Sequence, residues 1–203
     1  EVIETLPEFV DRAYVVDDGS TDGTWAEILG AAERINDDVD GDARFRDRIY
    51  PLQHTRNRGV GGAIKTGYQH ALEDDIDLVA VMGGDGQMDP DELPRLLDPV
   101  AEDVADYAKG NRLATPSDRA EMSAWRELGN WLLTVLTKIA SGYWKTMDPQ
   151  NGYTVISAAA LRTIELDEMY EDYGYCNDLL VKLNASGLRV ADVAQPARYG
   201  DEE

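Results

Sequence analysis

Residues 13–24 read AYVVDDGSTDGT, and this stretch decides the fold. Ala13 to Val16 form an apolar run of strand type. It ends at two adjacent carboxylates, Asp17 and Asp18, ahead of a turn that Gly19 permits. Helical periodicity follows at once in TWAEILGAAERI, residues 24–35, with Ser20 or Asp22 available as its cap. Capping alone accounts for Ser20 and Asp22. It does not account for paired carboxylates at a strand end, where one would serve as acceptor for a nucleobase imide or a ribose hydroxyl.

The same alternation continues outward. Strands are expected at Ala13–Asp17, Ile49–His54, Leu78–Met82, Asp106–Lys109, Gly152–Ile156 and Arg189–Ala194. Helices are expected in TWAEILGAAERI, GGAIKTGYQHALED, PDELPRLLDPVAED and NDLLVKLNASG, the last stopping at Gly187. Short strands alternating with helices predict an α/β domain with a mainly parallel sheet. The chain opens with EVIETLPEFVDR, which reads as a helix with no strand before it, and residues 35–47 read as an acidic surface loop. In such sheets ligands sit at the carboxyl ends of the strands. Four strands here run into DDGSTDGT, TRNRGVGG, GGDGQMDP and KGNR, so the four clusters predict one site.

In NRGVGGAIKTG, Gly59, Gly61 and Gly62 allow backbone to approach a ligand closely, and Lys65 on the first helical turn can meet a phosphate. The stretch matches neither the dinucleotide fingerprint nor the P-loop, and tight helix packing would explain the glycines equally. In GGDGQMDP, Asp85 lies between Gly84 and Gly86 and is followed by Gln87 and Asp89. Hard oxygen donors at a strand end suit a divalent cation that leaves room for a diphosphate. A plain Asp-Gly turn is the alternative. Residues 123–144, SAWRELGNWLLTVLTKIASGYW, have helical periodicity. They suit either a core helix or an interfacial one that holds Arg126 and Lys138 near lipid phosphates.

The chain's 203 residues are enough for one sizeable core, and no repeat or linker argues for two domains. Forty acidic against 19 basic side chains give a net charge of −21, which excludes nucleic acid as a partner. Acidity spread along the whole chain is a halophilic pattern, since high salt screens the self-repulsion. The lone Cys176 forms no internal disulfide, fits a reduced cytosol and is assigned no role. No stretch is long and apolar enough to span a bilayer or to act as a signal peptide.

In order, DDGSTD, NRGVGGAIKTG, GGDGQMDP, KGNR, MDPQNGY and YGYCNDLL resemble the family 2 glycosyltransferases, from about Tyr14 to Gly200. They look most like the branch of dolichyl-phosphate mannose and polyprenyl-phosphate glucose synthases. The resemblance implies a GT-A fold, Rossmann-like with helices on both faces of the sheet, across a single catalytic domain 1–203. Residues up to about 112 would bind the nucleotide sugar and residues 113–203 the acceptor. It further implies a nucleoside-diphosphate sugar donor, Mg2+ or Mn2+, and inversion at the anomeric carbon.

Carried over residue by residue, the resemblance gives base- and ribose-binding roles to Asp17 and Asp18, and Ser20, Gly62, Lys65, Gly84 and Asp85 complete the expected nucleotide-binding set. Asp85 and Gln87 match the metal motif. Arg112 matches a phosphate-binding arginine, and Arg126 and Arg198 fall near others. Asp148 and Asn151 of MDPQNGY join Arg126 and Arg198 on the acceptor side. Asp178 lies near the catalytic base of members whose acceptor is not a lipid. Asp85, Arg112, Arg126 and Asp178 are therefore the expected catalytic set. There are departures: Gly83 stands where many relatives have the first Asp of the metal motif. The family's opening strand would lie ahead of Glu1, and membrane-associated helices would follow residue 203.

The leading expectation is transfer of a hexose from a UDP- or GDP-sugar to a dolichyl or polyprenyl phosphate, at the inner face of the cell membrane. One alternative is transfer to a sugar hydroxyl of a glycan, with Asp178 as base. The other is a non-catalytic nucleotide-sugar-binding protein, which the missing first Asp suggests.

Overall fold

The computed structural model describes residues 2–39, 43–112, 142, 148 and 150–195. Among them lie the strands β1 (Ala13–Asp17), β2 (Ile49–Gln53), β3 (Leu78–Val81), β4 (Tyr107–Asn111), β5 (Thr154–Ser157) and β6 (Val190–Ala194). The helices are α1 (Thr24–Asn36), α2 (Val60–Glu73), α3 (Leu93–Ala101), α4 (Ala158–Thr163) and α5 (Tyr175–Ala185). Each expected strand is present within two residues of its expected ends. The expected opening helix is not: Val2–Thr5 forms one 3-10 turn. Pro7 explains the stop, because it donates no amide and disfavours helical geometry at Leu6.

β1 and β2 pair in parallel, with Asp17 opposite Gln53, so both polar tips emerge at one edge. The other four strands are ordered β3-β5-β4-β6. β5 runs antiparallel to both its neighbours, whereas β4 and β6 are parallel. The apolar content of β5 signals a strand but not its direction, which is why one reversed strand was not expected. α2 packs on both β1 and β3 and so bridges the two sheets.

Side chains alternate along β4 and β5, and the alternation builds a core on each face. Tyr107 and Ile156 point toward Leu161 of α4, Tyr68 of α2, and Leu179, Leu180 and Leu183 of α5. Ala108 and Val155 point the opposite way, toward Leu93, Leu96 and Val100 of α3. The short helix α4, which the sequence reading missed, starts where Ser157 accepts a bond from the Ala160 amide. Its six residues are too few to display a helical period.

The N-terminal turn of α2 lies directly on residues 170–175. A Cβ at Gly61 would overlap the Tyr170 carbonyl oxygen and come within 2.8 Å of Tyr175 Cβ, whereas one at Gly67 would meet nothing. Gly61→Ala should therefore destabilise the fold by about 1–3 kcal/mol. Gly67→Ala, on the same helix, should stabilise it by about 0.4–1 kcal/mol. Thermal unfolding of the two variants checks both signs, and equal shifts would contradict the packing described.

Candidate active site

The site begins at the tip of β1. Asp17 is buried, accepting from the Ser20 amide at 3.1 Å and from Gln53 Nε2 at 2.9 Å. Hydrogen bonding from Ser20, ahead of Gln53, holds its carboxyl below the usual carboxylate range. Ser20 thus serves Asp17 rather than α1. The N-cap of α1 is Gly23, with no side-chain capping bond, and Asp22 just ahead of it accepts from the Thr24 amide at 2.9 Å.

Asp18 organises the second cluster. It accepts from the Arg58 amide at 2.9 Å, from the Gly59 amide at 2.7 Å, and lies 2.6 Å from His54 Nδ1. Gly19, with φ at 76°, lets this turn run against Arg56 and Asn57, where a Cβ would come within 2.9 Å of their backbone.

The glycines of α2 face protein. The Gly62 amide donates to Glu171 O at 2.9 Å, and a Cβ at Gly59 would overlap that same carbonyl. Lys65 is buried, donating to Asp167 O at 2.5 Å with Glu171 Oε1 at 3.6 Å. The close approach allowed by Gly59 and Gly61 is therefore to residues 170–175, while a Cβ at Gly62 would meet the Arg58 side chain at 2.7 Å. Of the two residues expected at a ligand phosphate, Gly62 gives its amide to Glu171 and Lys65 bonds Asp167, so both already have partners in the chain. Arg58 completes the junction with a 2.6 Å ion pair to Glu171.

Tyr175, buried at the start of α5, joins this half to the remaining clusters. Its side chain abuts Gly61 on one side. On the other, a Cβ at Gly152 would lie 3.1 Å from its hydroxyl and 3.4 Å from the Met88 methyl. Met88 belongs to the loop after β3, where its sulfur accepts from the Gly83 amide at 3.0 Å. Asp85 is exposed at the apex of that loop, and its Oδ1 accepts from the Gln87 amide at 3.1 Å. Its carboxylate folds back toward Gly83, where a Cβ would sit 3.1 Å from Oδ1. Gly84 and Gln87 are likewise exposed.

At the tip of β4, Arg112 donates through Nε to Asp148 Oδ2 at 2.9 Å. Buried Lys109 donates to the Asp148 carbonyl, and burial lowers its pKa. Asn151 is buried, accepts from the Tyr153 amide at 3.0 Å and packs over Gly110 beside Gln195. Asp148 and Asn151 thus frame the strand end and steady Arg112.

The profile of glycosyl transferase family 2 matches residues 2–164. The chain belongs to that family. It is 28% identical to the UDP-N-acetylglucosamine–dolichyl-phosphate N-acetylglucosaminyltransferase of Methanococcus voltae, over 90% of this chain and 73% of that protein. It is 30% identical to the undecaprenyl-phosphate mannosyltransferase of Micrococcus luteus (94% and 77%). It is 31% identical to the polyprenol monophosphomannose synthase of Mycolicibacterium smegmatis (98% and 74%). The chain thus spans about three quarters of the length of these relatives. Among solved structures, glucosyl-3-phosphoglycerate synthase of Mycobacterium tuberculosis, bound to Mn2+, UDP and glucosyl-3-phosphoglycerate, superposes with a TM-score of 0.65. The identity there is 18%, covering 100% of this chain and 66% of that one. The fold is GT-A.

Within this family 2 glycosyltransferase, contacts link the four expected clusters into one continuous rim, through Tyr175 and Gly152. Tyr175 was not singled out from sequence, although it lies in the quoted YGYCNDLL. Asp178 stands apart from the expected catalytic set. Its Oδ2 accepts from the Tyr170 amide at 2.9 Å and its Oδ1 from Lys182 at 2.8 Å. Oδ2 ties Tyr170 to α5, while Oδ1 pairs with Lys182 one turn along the same helix, so both oxygens of the expected base already have partners in the chain. Arg126, Arg198 and the 123–144 stretch, apart from Gly142, lie outside the described residues. Cys176 is buried, and burial pushes its thiol up, in keeping with a packing role.

The family implies a divalent metal. Among the described residues no group of three or more His, Cys, Asp or Glu is placed to hold one. Asp85 offers a single exposed hard-oxygen ligand, which suits an ion whose other ligands come from a diphosphate and water.

The Arg58–Glu171 pair carries a pH signature. Arg58, first by its hydrogen bond, lowers the Glu171 pKa from the ordinary 4.5. A depressed carboxyl stabilises the fold above its unfolded pKa and loses that contribution as pH falls through its folded value. Glu171→Gln should lower the melting temperature at pH 7 by about 1–3 °C, the scale of a half-exposed pair. The gap should begin to narrow below about pH 4.5 and close once the pH falls past the lowered folded value. A gap that persists there would assign the loss to packing instead.

Proposed function

We propose that the chain transfers a hexose from a UDP- or GDP-sugar to a dolichyl or polyprenyl phosphate, inverting the anomeric carbon, at the cytosolic face of the membrane. One observation carries the acceptor class. Three relatives, one named for N-acetylglucosamine and two for mannose, share a polyprenyl-type acceptor in their names, and each matches at least 90% of this chain. The engagement of Asp178 supports the same acceptor. A phosphate monoester is ionised near neutral pH and needs no strong base, whereas a sugar hydroxyl does. Among the described residues, no helix is long and apolar enough to cross a membrane, so the lipid would be met at the surface. The acidic surplus supports a high-salt setting, where self-repulsion is screened.

In this reading Asp17 and Asp18 receive the base and ribose of the donor. Asp85, with Gln87 beside it, holds Mg2+ or Mn2+ against the diphosphate. The metal, when bound, offsets the charge that develops on the departing nucleoside diphosphate. Arg112, steadied by Asp148, faces a phosphate of donor or acceptor, and Arg126 and Arg198 complete the acceptor side. The lipid phosphate oxygen attacks the anomeric carbon as the bond to the diphosphate breaks. Residues up to about 112 serve the donor, and residues 113–203 the acceptor.

Asp85→Ala should abolish Mn2+-dependent binding of donor, because it removes the metal's protein carboxylate, while Asp89→Ala should be milder. Titration with and without Mn2+ checks this, and unchanged metal-dependent binding by the Asp85 variant would reject the assignment.

The acceptor is tested by two variants assayed with saturating donor and polyprenyl phosphate. Arg112→Lys should cut transfer about tenfold or more through loss of a charge-assisted bond. Asp178→Asn should retain appreciable activity. Collapse of the Asp178 variant, by the roughly 10² to 10⁴ expected for a lost base, with little loss in the arginine variant, would favour a hydroxyl acceptor.

A further inference from the structure

We infer that His54 is a positioning residue for the nucleotide, acting through Asp18. It sits one residue beyond β2, and its side chain is 9% exposed. Its two ring nitrogens meet different partners: Nδ1 lies 2.6 Å from Asp18 Oδ1, and Nε2 lies 2.9 Å from Thr66 Oγ1 on α2. The ring therefore ties three elements together, the tip of β1, the end of β2 and the second turn of α2.

The partners fix the proton on Nδ1. Asp18 already accepts the amides of Arg58 and Gly59, so it acts as an acceptor and requires a donor at Nδ1. The Thr66 hydroxyl tolerates either state of Nε2. It lies 3.0 Å from the Gly62 carbonyl, to which it donates when Nε2 carries a proton, and it can turn to donate to Nε2 when it does not. The Nδ1–H to Asp18 bond is common to both arrangements.

The consequence is a carboxylate held from three directions. Oδ1 takes His54 and the Arg58 amide, and Oδ2 takes the Gly59 amide. A carboxylate offers about four acceptor positions, so one on Oδ2 remains for an incoming hydroxyl or imide. Asp18 keeps 18% of its side chain exposed, while His54 behind it is nearly enclosed. The backbone amides sit on a loop. His54 is the side chain that sets the angle of Asp18 from the rigid end of β2. Arg58 lies close by, with Nη1 3.5 Å from Thr66 Oγ1, and its Nη2 is paired with Glu171, so the remaining charges around the ring are already balanced.

This inference rests on the proposal that Asp18 receives the donor, and the experiment separates the two. UDP and GDP are each titrated calorimetrically with Mn2+ into the unmodified chain and its variants. His54→Ala and Asp18→Asn should each weaken binding of the preferred nucleotide by about tenfold or more, the scale of one hydrogen bond to a charged group. His54→Asn, which returns an N–H near the Nδ1 position, should bind close to the unmodified chain. The double variant Asp18→Asn/His54→Ala should be no weaker than Asp18→Asn alone, since both act through one group. In the transfer assay His54→Ala should raise the donor KM far more than it lowers kcat, a split that general destabilisation would not produce. Ring nitrogen NMR should find the proton on Nδ1. Additive losses, a failure of His54→Asn to recover binding, or a proton confined to Nε2 would each overturn the positioning role. If Asp18→Asn weakens binding and His54→Ala does not, the positioning role falls and the donor reading stands. If Asp18→Asn changes nothing, or neither nucleotide binds the unmodified chain, both fall.

Discussion

The N-terminal turn of α2 lies so close to residues 170–175 that no side chain fits between them, and the rest of the site depends on that approach. Gly59 and Gly61 leave room for the carbonyls of Glu171 and Tyr170, and the Gly62 amide then bonds that of Glu171. An amide of the first helical turn has no partner within its own helix, so a carbonyl from elsewhere must satisfy it or water will. Supplying that carbonyl from protein seals the helix end. It also brings Tyr175 against Gly61, and through Tyr175 the strand tips of both sheets come into register. The contact substitutes for a phosphate at a helix terminus that looks, from composition, built to bind one.

The acidic side chains divide by what they accept. Asp17, Asp18 and Asp178 are each engaged by donors of the chain itself, and each holds a loop rather than standing free. Asp85 is different, being exposed and bonded only to an amide of its own turn. A carboxylate with few internal donors retains most of its lone pairs for a cation, whereas one already bonded to amides, as Asp18 is, is held at a set angle with fewer positions left for a hydroxyl or imide. Excess negative charge in the sequence is thus no guide to which carboxylate meets a ligand. The hydrogen-bond inventory around each one is.

Strand positions were legible because each strand is a short apolar run between turn residues, and the expected ends fall within two residues of those observed. The direction of β5 was not legible, since pairing partners decide direction and Val155 or Ile156 would look the same either way. The opening helix was overcalled: its apolar spacing was real, yet Pro7 ends the turn at Thr5. The four clusters expected after the strands do lie in contact with one another, through Tyr175 and Gly152. The roles within NRGVGG were not legible, because glycine records that something comes close without recording what. Lys65 shows the same ambiguity: the sequence suggests a first-turn position suited to an anion, whereas α2 starts at Val60, Lys65 falls in the second turn, and its ammonium is caught by Asp167 and Glu171, about a hundred residues away in sequence. Only the folded chain brings such partners into view.

On the proposed reading, a site whose described residues offer Asp85 as an exposed carboxylate and hold Asp178 in bonds of its own places its catalytic burden on position. Gly83 belongs to this arrangement, because the Asp85 carboxylate occupies the space a side chain there would need. A single protein carboxylate holds a divalent ion weakly, and the diphosphate then becomes part of the ion's coordination rather than a visitor to it. On that reading Asp85 would hold the ion together with the diphosphate, so the ion and the donor would bind together. An acceptor that is already an anion fits the same logic: it supplies its own nucleophile, and the protein's task is to hold it in line with the anomeric carbon. Arg112, gripped by Asp148 at the rigid end of β4, is suited to that task because its orientation is set before any ligand enters.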